Sequence, residues 1–430
     1  YSTTLPTPPL ASRWREPVLK QPVLVIEGDD WGAGPLRQAE ALRRLSALLQ
    51  RVRDRSGRPA LMTLGVVLEV PDGPRIAASN CTEYHALPLA DPRFDGVRTA
   101  MTDGIATGVF VPQLHGQCHY WPPVLLAAAQ ADAEVRAWLT ASEPAATEAL
   151  PSHLQSRWVD ASILPSHVLD TAEIRQAVAR EAADFAKIFG QAPQVAVATT
   201  FVWNDAVEAA WAQAGIETVI TPGSRATCRM AAGQPGCVDR TMLAGERSLS
   251  GQSYLVRDVY FEPALGHPPQ QLADGLAART RQGRACLIET HRFNFLQVCD
   301  ASLATLEAGL NAALSACPNL RFASPLELAR AMQAREGIRT AGAAVLLTVP
   351  ARDESAWLAG GQAYERLVLK ATQLGLAHQP MNAPVEVERF RERLLRRFGV
   401  TGGEPLMLVR LGRGPRVPHT PRRAVAAVAG

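Results

Sequence analysis

The chain has 430 residues, of which 47% are hydrophobic and 20% are charged, so it can bury a large core and form about two or three domains. Its 44 Lys and Arg residues nearly balance its 41 Asp and Glu residues, which gives a net charge of +3. This balance excludes the basic surface of a nucleic-acid-binding protein. The apolar runs are too short to cross a bilayer, so no membrane partner is predicted either.

Short apolar runs alternate with stretches of helical spacing along most of the chain. The runs predict strands at 22–28, 60–70, 108–114, 194–200, 216–221 and 284–290. The helical stretches are 36–52, 124–140, 171–189, 205–214, 268–282, 303–316 and 325–335. This alternation predicts an α/β fold with a mainly parallel sheet.

Polar groups decide between an open sheet and a closed one. Acidic and His residues follow several of the predicted strands, as expected where active-site groups gather at the carboxyl ends of barrel strands. We therefore expect a β/α barrel over residues 1–337. A break at Gly337 and Gly342 separates it from a small α/β segment at 338–430.

Three segments at predicted strand ends carry the candidate chemistry: Glu27 to Gly32, Gln113 to His119 and Glu289 to Asn294. The first contains two adjacent carboxylates, so one could bind a cation while the other stays free as a base. The second contains two histidines four positions apart, and His with carboxylate suits zinc or a similar metal. Each segment alone could be an ordinary turn or barrel rim, but together they indicate a site.

The residues Asp29-Asp30-Trp31, His115 to His119, and His291 resemble the motifs of polysaccharide deacetylases, the NodB-homology proteins of the glycoside hydrolase/deacetylase superfamily. The resemblance extends over roughly residues 15 to 335. It implies a distorted (β/α) barrel and a metal-dependent hydrolase that removes acetyl groups from an N- or O-acetylated carbohydrate or related amide.

The resemblance also implies a role for each matching residue. Asp30, His115 and His119 would bind a divalent metal, with zinc as the first choice. Asp29 would be the general base that takes a proton from the attacking water, and His291 the general acid that protonates the leaving group.

Three residues beside the motifs are predicted to contact the substrate. Trp31 and Trp203 could stack on a sugar ring, and Asn294 could form a hydrogen bond with it. Simple packing, or a turn in the case of Asn294, is the alternative for each.

One departure from the family pattern stands out. Deacetylases carry an arginine that steadies the base, but the matching stretch 199–204 has none. Arg257 and Arg292 are the candidates to replace it. The alternative is a catalytically impaired protein that binds metal or carbohydrate without turnover.

The C-terminal segment has a different character, with predicted strands at 345–349 and 406–411 around a helix at 355–374. Trp357 to Gly361, Ala371 to Leu376 and Arg410 to Gly412 resemble the C-terminal half of nitroreductase-like flavoproteins. That resemblance would place Arg422 and Arg423 near the phosphate of FMN. The N-terminal half of such a protein is missing, so we favour a segment that packs on the barrel or forms a homodimer over a flavin-dependent oxidoreductase.

The seven cysteines are scattered and odd in number, with no CxxC pair. This pattern argues against a disulfide framework and a cysteine-rich zinc site, and it favours a reducing, cytoplasmic location.

Overall fold

A computed structural model of the chain describes residues 16–141, 143–144, 146–339 and 343–412. Two compact units divide between Ile338 and Arg339. Among the described residues, no helix combines the length and the apolar character needed to cross a membrane.

The first unit is built on one curled sheet of parallel strands. These are β1 (Val23–Gly32), β2 (Met62–Val67), β3 (Phe110–Leu114), β4 (Val195–Val197), β5 (Thr218–Thr221), β6 (Ser253–Val256), β7 (Val259–Tyr260) and β8 (Cys286–His291). Their order in space is β6-β5-β4-β3-β2-β1-β8-β7, and a short strand, Arg321–Phe322, pairs with the start of β1. All ten residues of β1 are buried, as expected for a strand covered on both faces.

The two edges of this sheet are adjacent in sequence. Only Arg257 and Asp258 separate β6, which pairs with β5, from β7, which pairs with β8. One stretch of chain therefore pairs with both edges, and the sheet curls round as in a barrel. The expected α/β fold with a curled parallel sheet is confirmed.

Helices connect the strands and pack apolar stripes against them. Their bounds in the first unit are Gln38–Arg51, Gly73–Ala78, Asp95–Ala106, Pro122–Ala131, Ala133–Leu139, Thr171–Phe189, Asp205–Gln213, Pro269–Gln282, Asn294–Gln297, Cys299–Ala316 and Pro325–Ala334. In the first of these helices, Leu42, Leu45 and Leu49 recur at helical spacing and join the core with Leu24 and Ile26 of β1.

Some elements differ from the sequence prediction. The helix expected at 124–140 is two helices, because Asp132 leaves the helical conformation and its side chain accepts hydrogen bonds from the backbone N–H of Glu134 and Val135. The short strands β6 and β7 were not predicted, since the charged pair Arg257-Asp258 interrupts their apolar run.

In the described part of the first unit, four two-stranded ribbons lie outside the main sheet: Glu69–Pro71 with Ala86–Pro88, Val159–Asp160 with His167–Val168, Ser224–Arg225 with Arg240–Thr241, and Cys228–Arg229 with Pro235–Gly236. In the last ribbon Cys228 is disulfide-bonded to Cys237. This bond corrects the expectation that the cysteines do not pair. Their spacing in the sequence did not indicate it, because the two cysteines meet only through the folding of the ribbon at 228–237.

The second unit is a three-stranded antiparallel sheet with helices. Its strands are β9 (Ala343–Val349), β10 (Ala377–Pro380) and β11 (Glu404–Gly412), with β11 in the centre. Its helices are Glu354–Gln373, Ala383–Glu386 and Glu388–Phe398. These elements agree with the small α/β segment predicted from the sequence.

A buried polar cluster joins the helix Asp205–Gln213 to β6. The carboxylate of Glu208 accepts hydrogen bonds from the indole N–H of Trp203 at 2.9 Å and from the hydroxyl of Tyr254 at 2.8 Å. Arg225 lies 3.0 Å from the same carboxylate. A buried charge is tolerated only with such partners, so this cluster fixes the helix against the barrel.

We expect Trp203→Ala to lower the free energy of unfolding of the first unit by about 3–5 kcal/mol, because a fully buried ring and its hydrogen bond to Glu208 are lost. Urea denaturation followed by circular dichroism would measure the change. Trp357 is 50% exposed, so Trp357→Ala should change it by less than about 0.5 kcal/mol. Equal effects of the two substitutions would contradict this assignment of Trp203 to the core.

Candidate active site

The candidate residues meet at one end of the barrel. Because the strands are parallel, their carboxyl ends share one rim. Asp29 and Asp30 lie near the end of β1, His115 directly follows β3, and His291 ends β8. Asp29, Asp30, His115, His119 and His291 all line one cavity of about 200 Å³.

An irregularity in β1 brings both aspartates to this cavity. The register of β1 against β2 shifts between Gly28 and Trp31, which is the geometry of a β-bulge. Asp30 has φ of 70°, a left-handed conformation that Asp tolerates better than most residues. In a regular strand, adjacent side chains point to opposite faces, so the bulge is what lets the pair share one site.

Asp30, His115 and His119 form a tight, buried trio. Oδ1 of Asp30 lies 3.4 Å from Nε2 of His115 and 3.3 Å from Nε2 of His119, and the two nitrogens are 3.2 Å apart. Ligands bound tetrahedrally to zinc at about 2.0–2.1 Å are separated by roughly 3.3 Å. The three ligand atoms therefore have the spacing expected when all three bind the same metal ion.

The hydrogen bonds and charges of the trio also fit a cation. Nδ1 of His115 lies 3.1 Å from the carbonyl oxygen of Val197, so a proton on Nδ1 leaves Nε2 free as a ligand. Burial lowers the pKa of His119 to about 4, which keeps that ring neutral. Oδ1 of Asp30 is buried and makes no hydrogen bond to any described residue. An ion at this point would satisfy it.

Asp29 is held by Arg257 at the junction of β6 and β7. The guanidinium donates from Nη1 to Oδ2 of Asp29 at 2.5 Å and from Nη2 to Oδ1 at 2.9 Å, and Nη2 also reaches Glu27 at 3.0 Å. Burial raises the pKa of Asp29, but Arg257 and His115 outweigh it and bring the pKa down to about 2. Asp29 is therefore ionised and fixed in orientation.

Of the two arginines that the sequence offered as candidates, Arg257 is the one that contacts Asp29. Arg292, the other one, is fully buried and bonds instead to Glu148 at 2.6 Å and to the carbonyl oxygen of Ala33 at 3.4 Å.

His291 is oriented by a buried glutamate. Nδ1 of His291 lies 2.5 Å from Oε1 of Glu262, and Glu262 is itself fully buried. Burial lowers the pKa of His291, but the hydrogen bond to Glu262 and the charge of Asp30 raise it to about 10. The ring is therefore protonated near neutral pH, and Nε2 is the nitrogen left to act as an acid.

The structure corrects the three predicted substrate contacts. Trp31 and Trp203 are fully buried; Trp31 stacks on Phe295, with 6.1 Å between ring centroids, and Trp203 belongs to the cluster around Glu208. Asn294 is also buried, and its amide donates to Glu262 and to Thr290. All three side chains lie in the core although their neighbours in sequence reach the site, and none of the three lines the cavity.

Aromatic walls are supplied by other residues. Phe201, Tyr260 and Phe293 line the cavity, and Tyr260 is 47% exposed. The ring of Phe293 stacks beside His291, with 5.9 Å between centroids.

Sequence reasoning missed Glu262 and Glu289 as site residues. Glu262 follows β7, a strand too short to be predicted, so nothing marked it as the end of a strand. Glu289 lies within a segment already selected for His291, where strand alternation places it on the same face as the histidine. That alternation was the available signal.

The predicted flavin contacts, Arg422 and Arg423, lie outside the described residues. FMN binding and homodimer formation therefore stay predictions.

Comparison with known proteins gives partial matches. Glycosyl hydrolase family 57 matches residues 149–255. A putative NAD(P)H nitroreductase of Mycobacterium tuberculosis is 37% identical over 92 residues, which are 20% of this chain and 27% of the relative. The chain therefore spans about a quarter of the length of the curated relatives that it matches.

Solved structures match over the larger part of the chain at low identity. A putative polysaccharide deacetylase from Mycobacterium smegmatis is 12% identical, with a TM-score of 0.37, over 75% of this chain and 93% of the other. A family 4 carbohydrate esterase from Streptomyces lividans, in complex with acetate, is 12% identical, with a TM-score of 0.32, over 71% of this chain and 91% of the other.

If the trio binds metal, the full chain equilibrated with Zn²⁺ and desalted should retain about one equivalent. His115→Ala and Asp30→Asn should each lose most of it, because one of three ligands is removed. Elemental analysis would measure the metal. His167 is exposed on a ribbon, so His167→Ala serves as the control and should bind zinc like the wild type. Zinc retained equally by all four proteins would rule out this trio as the site.

Proposed function

We propose that the protein is a metal-dependent hydrolase that removes acyl groups, acetyl first of all, from an amide or ester of a carbohydrate-like substrate. The observation that carries the proposal is the placement of three groups in one cavity: the Asp30, His115 and His119 trio, the clamped carboxylate of Asp29 and the protonated His291. The acetyl and carbohydrate part rests on the sequence resemblance to polysaccharide deacetylases.

The trio would hold a divalent ion, with zinc the first choice for two imidazoles and one carboxylate. Such an ion supplies acidification of a water molecule and stabilisation of negative charge on the substrate carbonyl oxygen.

Asp29 is placed to accept the proton of the attacking water. Its carboxylate lines the cavity and is held by two hydrogen bonds from Arg257, so it cannot rotate away. The same clamp makes Asp29 a weak base, since the pKa is about 2. Proton transfer to it therefore depends on a water that has become more acidic than bulk water.

His291 is placed to protonate the leaving group. Glu262 occupies Nδ1 and favours the protonated ring, so Nε2 carries the proton that can be given away. With a base and an acid on separate strand ends, the cavity has both groups that hydrolysis of an amide or ester requires.

The second candidate function was a binding protein without turnover, and it was motivated by the missing arginine. Support for hydrolysis over binding comes from Arg257, which contacts Asp29 from the junction of β6 and β7.

Asp29→Asn should keep zinc but lower kcat/KM for acetate release by at least about 100-fold, because the amide cannot accept the proton. An acetate-release assay on acetylated chitooligosaccharides and acetylated xylan, with zinc measured in parallel, would test this. Asp103 is exposed, so Asp103→Asn is the matched control and should keep full activity. Undiminished turnover in Asp29→Asn would refute the assigned base.

Gly65→Ala tests the position of Asp29 without changing its chemistry. A Cβ atom at Gly65 would lie 2.4 Å from Oδ1 of Asp29 and 3.2 Å from its Cα, so the carboxylate must move off Arg257. A displacement of this order should reduce kcat by roughly 10- to 100-fold while zinc is retained.

Gly96→Ala is the control for this change, since a Cβ there would meet only Ala39, at 3.8 Å. Steady-state kinetics of the two variants would separate the effects. If Gly65→Ala is as active as Gly96→Ala, the orientation of Asp29 does not limit the reaction.

A further inference from the structure

Glu289 lines the cavity, and the mechanism above gives it no role. Its side chain is 16% exposed. No donor in the described parts of the chain forms a hydrogen bond with its carboxylate. Its polar contacts there are two ion pairs at 4.0 Å, one to Nη1 of Arg257 and one to Nε2 of His291. The carboxylate is therefore free to accept a hydrogen bond from a ligand.

The two cations near Glu289 are already neutralised by closer carboxylates. Arg257 lies 2.5 Å from Asp29, and His291 lies 2.5 Å from Glu262. When ionised, Glu289 therefore adds a negative charge that no described residue balances at short range, and burial raises the pKa of this carboxyl in the absence of a ligand. A positive charge on a ligand would balance it, and because the side chain of Glu289 is only 16% exposed this attraction is stronger than at the surface.

The position of Glu289 relative to His291 decides which ligand atom it meets. An atom that receives the proton of Nε2 must lie within about 3 Å of that nitrogen. Oε1 of Glu289 is 4.0 Å from the same nitrogen, so one ligand atom can contact both. That atom is the leaving-group atom of the substrate.

An amide and an ester differ at this atom. The oxygen of water bonds to the carbonyl carbon, Asp29 takes one proton from that water, and His291 gives a proton to the leaving atom. An amide nitrogen then carries a positive charge until the C–N bond breaks and its electron pair moves to nitrogen. The amine afterwards takes up the proton held by Asp29, and the acetic acid gives the other proton of the former water to His291, so that the products depart as an ammonium ion and acetate and both residues regain their starting states. An ester oxygen departs as a neutral alcohol.

We propose that Glu289 is a specificity-determining residue that selects N-acyl amines over esters, by stabilising the positive charge on the departing nitrogen and binding the ammonium product. The inference rests on the proposed function for its reaction, but its ligand preference can be measured without turnover.

D-glucosamine and D-glucose differ in one ammonium group. Calorimetry near neutral pH would measure the binding of each sugar to the zinc-equilibrated full chain. Wild type should bind glucosamine at least about tenfold more tightly, and Glu289→Gln should reduce the preference below about threefold. Glu134 is exposed and far from Glu289 in the sequence, so the control variant Glu134→Gln should bind both sugars like the wild type. If Glu289→Gln has the melting temperature and the zinc content of the wild type, a merely structural effect of the substitution is excluded.

Acetate release from N-acetylglucosamine oligomers and from acetylated xylan gives the second readout. Glu289→Gln should lose at least about tenfold in kcat/KM on the amide and less than about threefold on the ester. No ammonium preference in wild type, or one that survives in Glu289→Gln, overturns the inference. A preference that depends on Glu289, in a protein that releases no acetate from either substrate, would support this site while refuting the proposed hydrolase.

Discussion

The site depends on one buried ion pair, between Arg257 and Asp29. A guanidinium with no exposed side-chain surface must be paired, and Arg257 finds two carboxylates, Asp29 and Glu27, on β1. Arg257 itself lies where the chain passes from β6 to β7, the point at which the sheet curls back on itself. The closure of the sheet therefore also brings Arg257 to Asp29 and fixes the orientation of that carboxylate. Within the closed sheet, removal of Arg257 would leave two buried carboxyl groups without a cation, which costs several kcal/mol.

A second chain of contacts orients His291, the proposed acid, in the same way. Asn294 donates to Glu262, and Glu262 faces Nδ1 of His291. Each member fixes the next, so the imidazole has one nitrogen committed to the protein and one to the cavity. Asp29 and His291, the proposed base and acid, thus have separate supports on different strands, and a change that disturbs one support need not disturb the other.

Much of this arrangement could be predicted from the sequence, because its signals are local. Apolar runs marked the long buried strands, and charged or His residues directly after them marked the rim. The supports were predicted only in part: the sequence offered Arg257 as one of two candidates and did not mark Glu262, since the two residues flank strands of four and two residues whose apolar pattern is too short to recognise. The prediction that Trp31 and Trp203 contact substrate was wrong for the opposite reason. Both residues adjoin the motifs in sequence, but both rings are buried in the core.

The stretch 199–204 explains how the site manages without the arginine expected there. In its place the backbone of Thr200 and Phe201 adopts positive φ angles of 52° and 56°, a strained conformation for residues with side chains. The ring of Phe201 lies 5.9 Å below the guanidinium of Arg257, a cation–π contact. The stretch in which the family pattern has its arginine thus contacts Arg257, an arginine that comes from the junction of β6 and β7. A buried carboxylate such as Asp29 needs a paired cation, and the fold can supply that cation from more than one strand end.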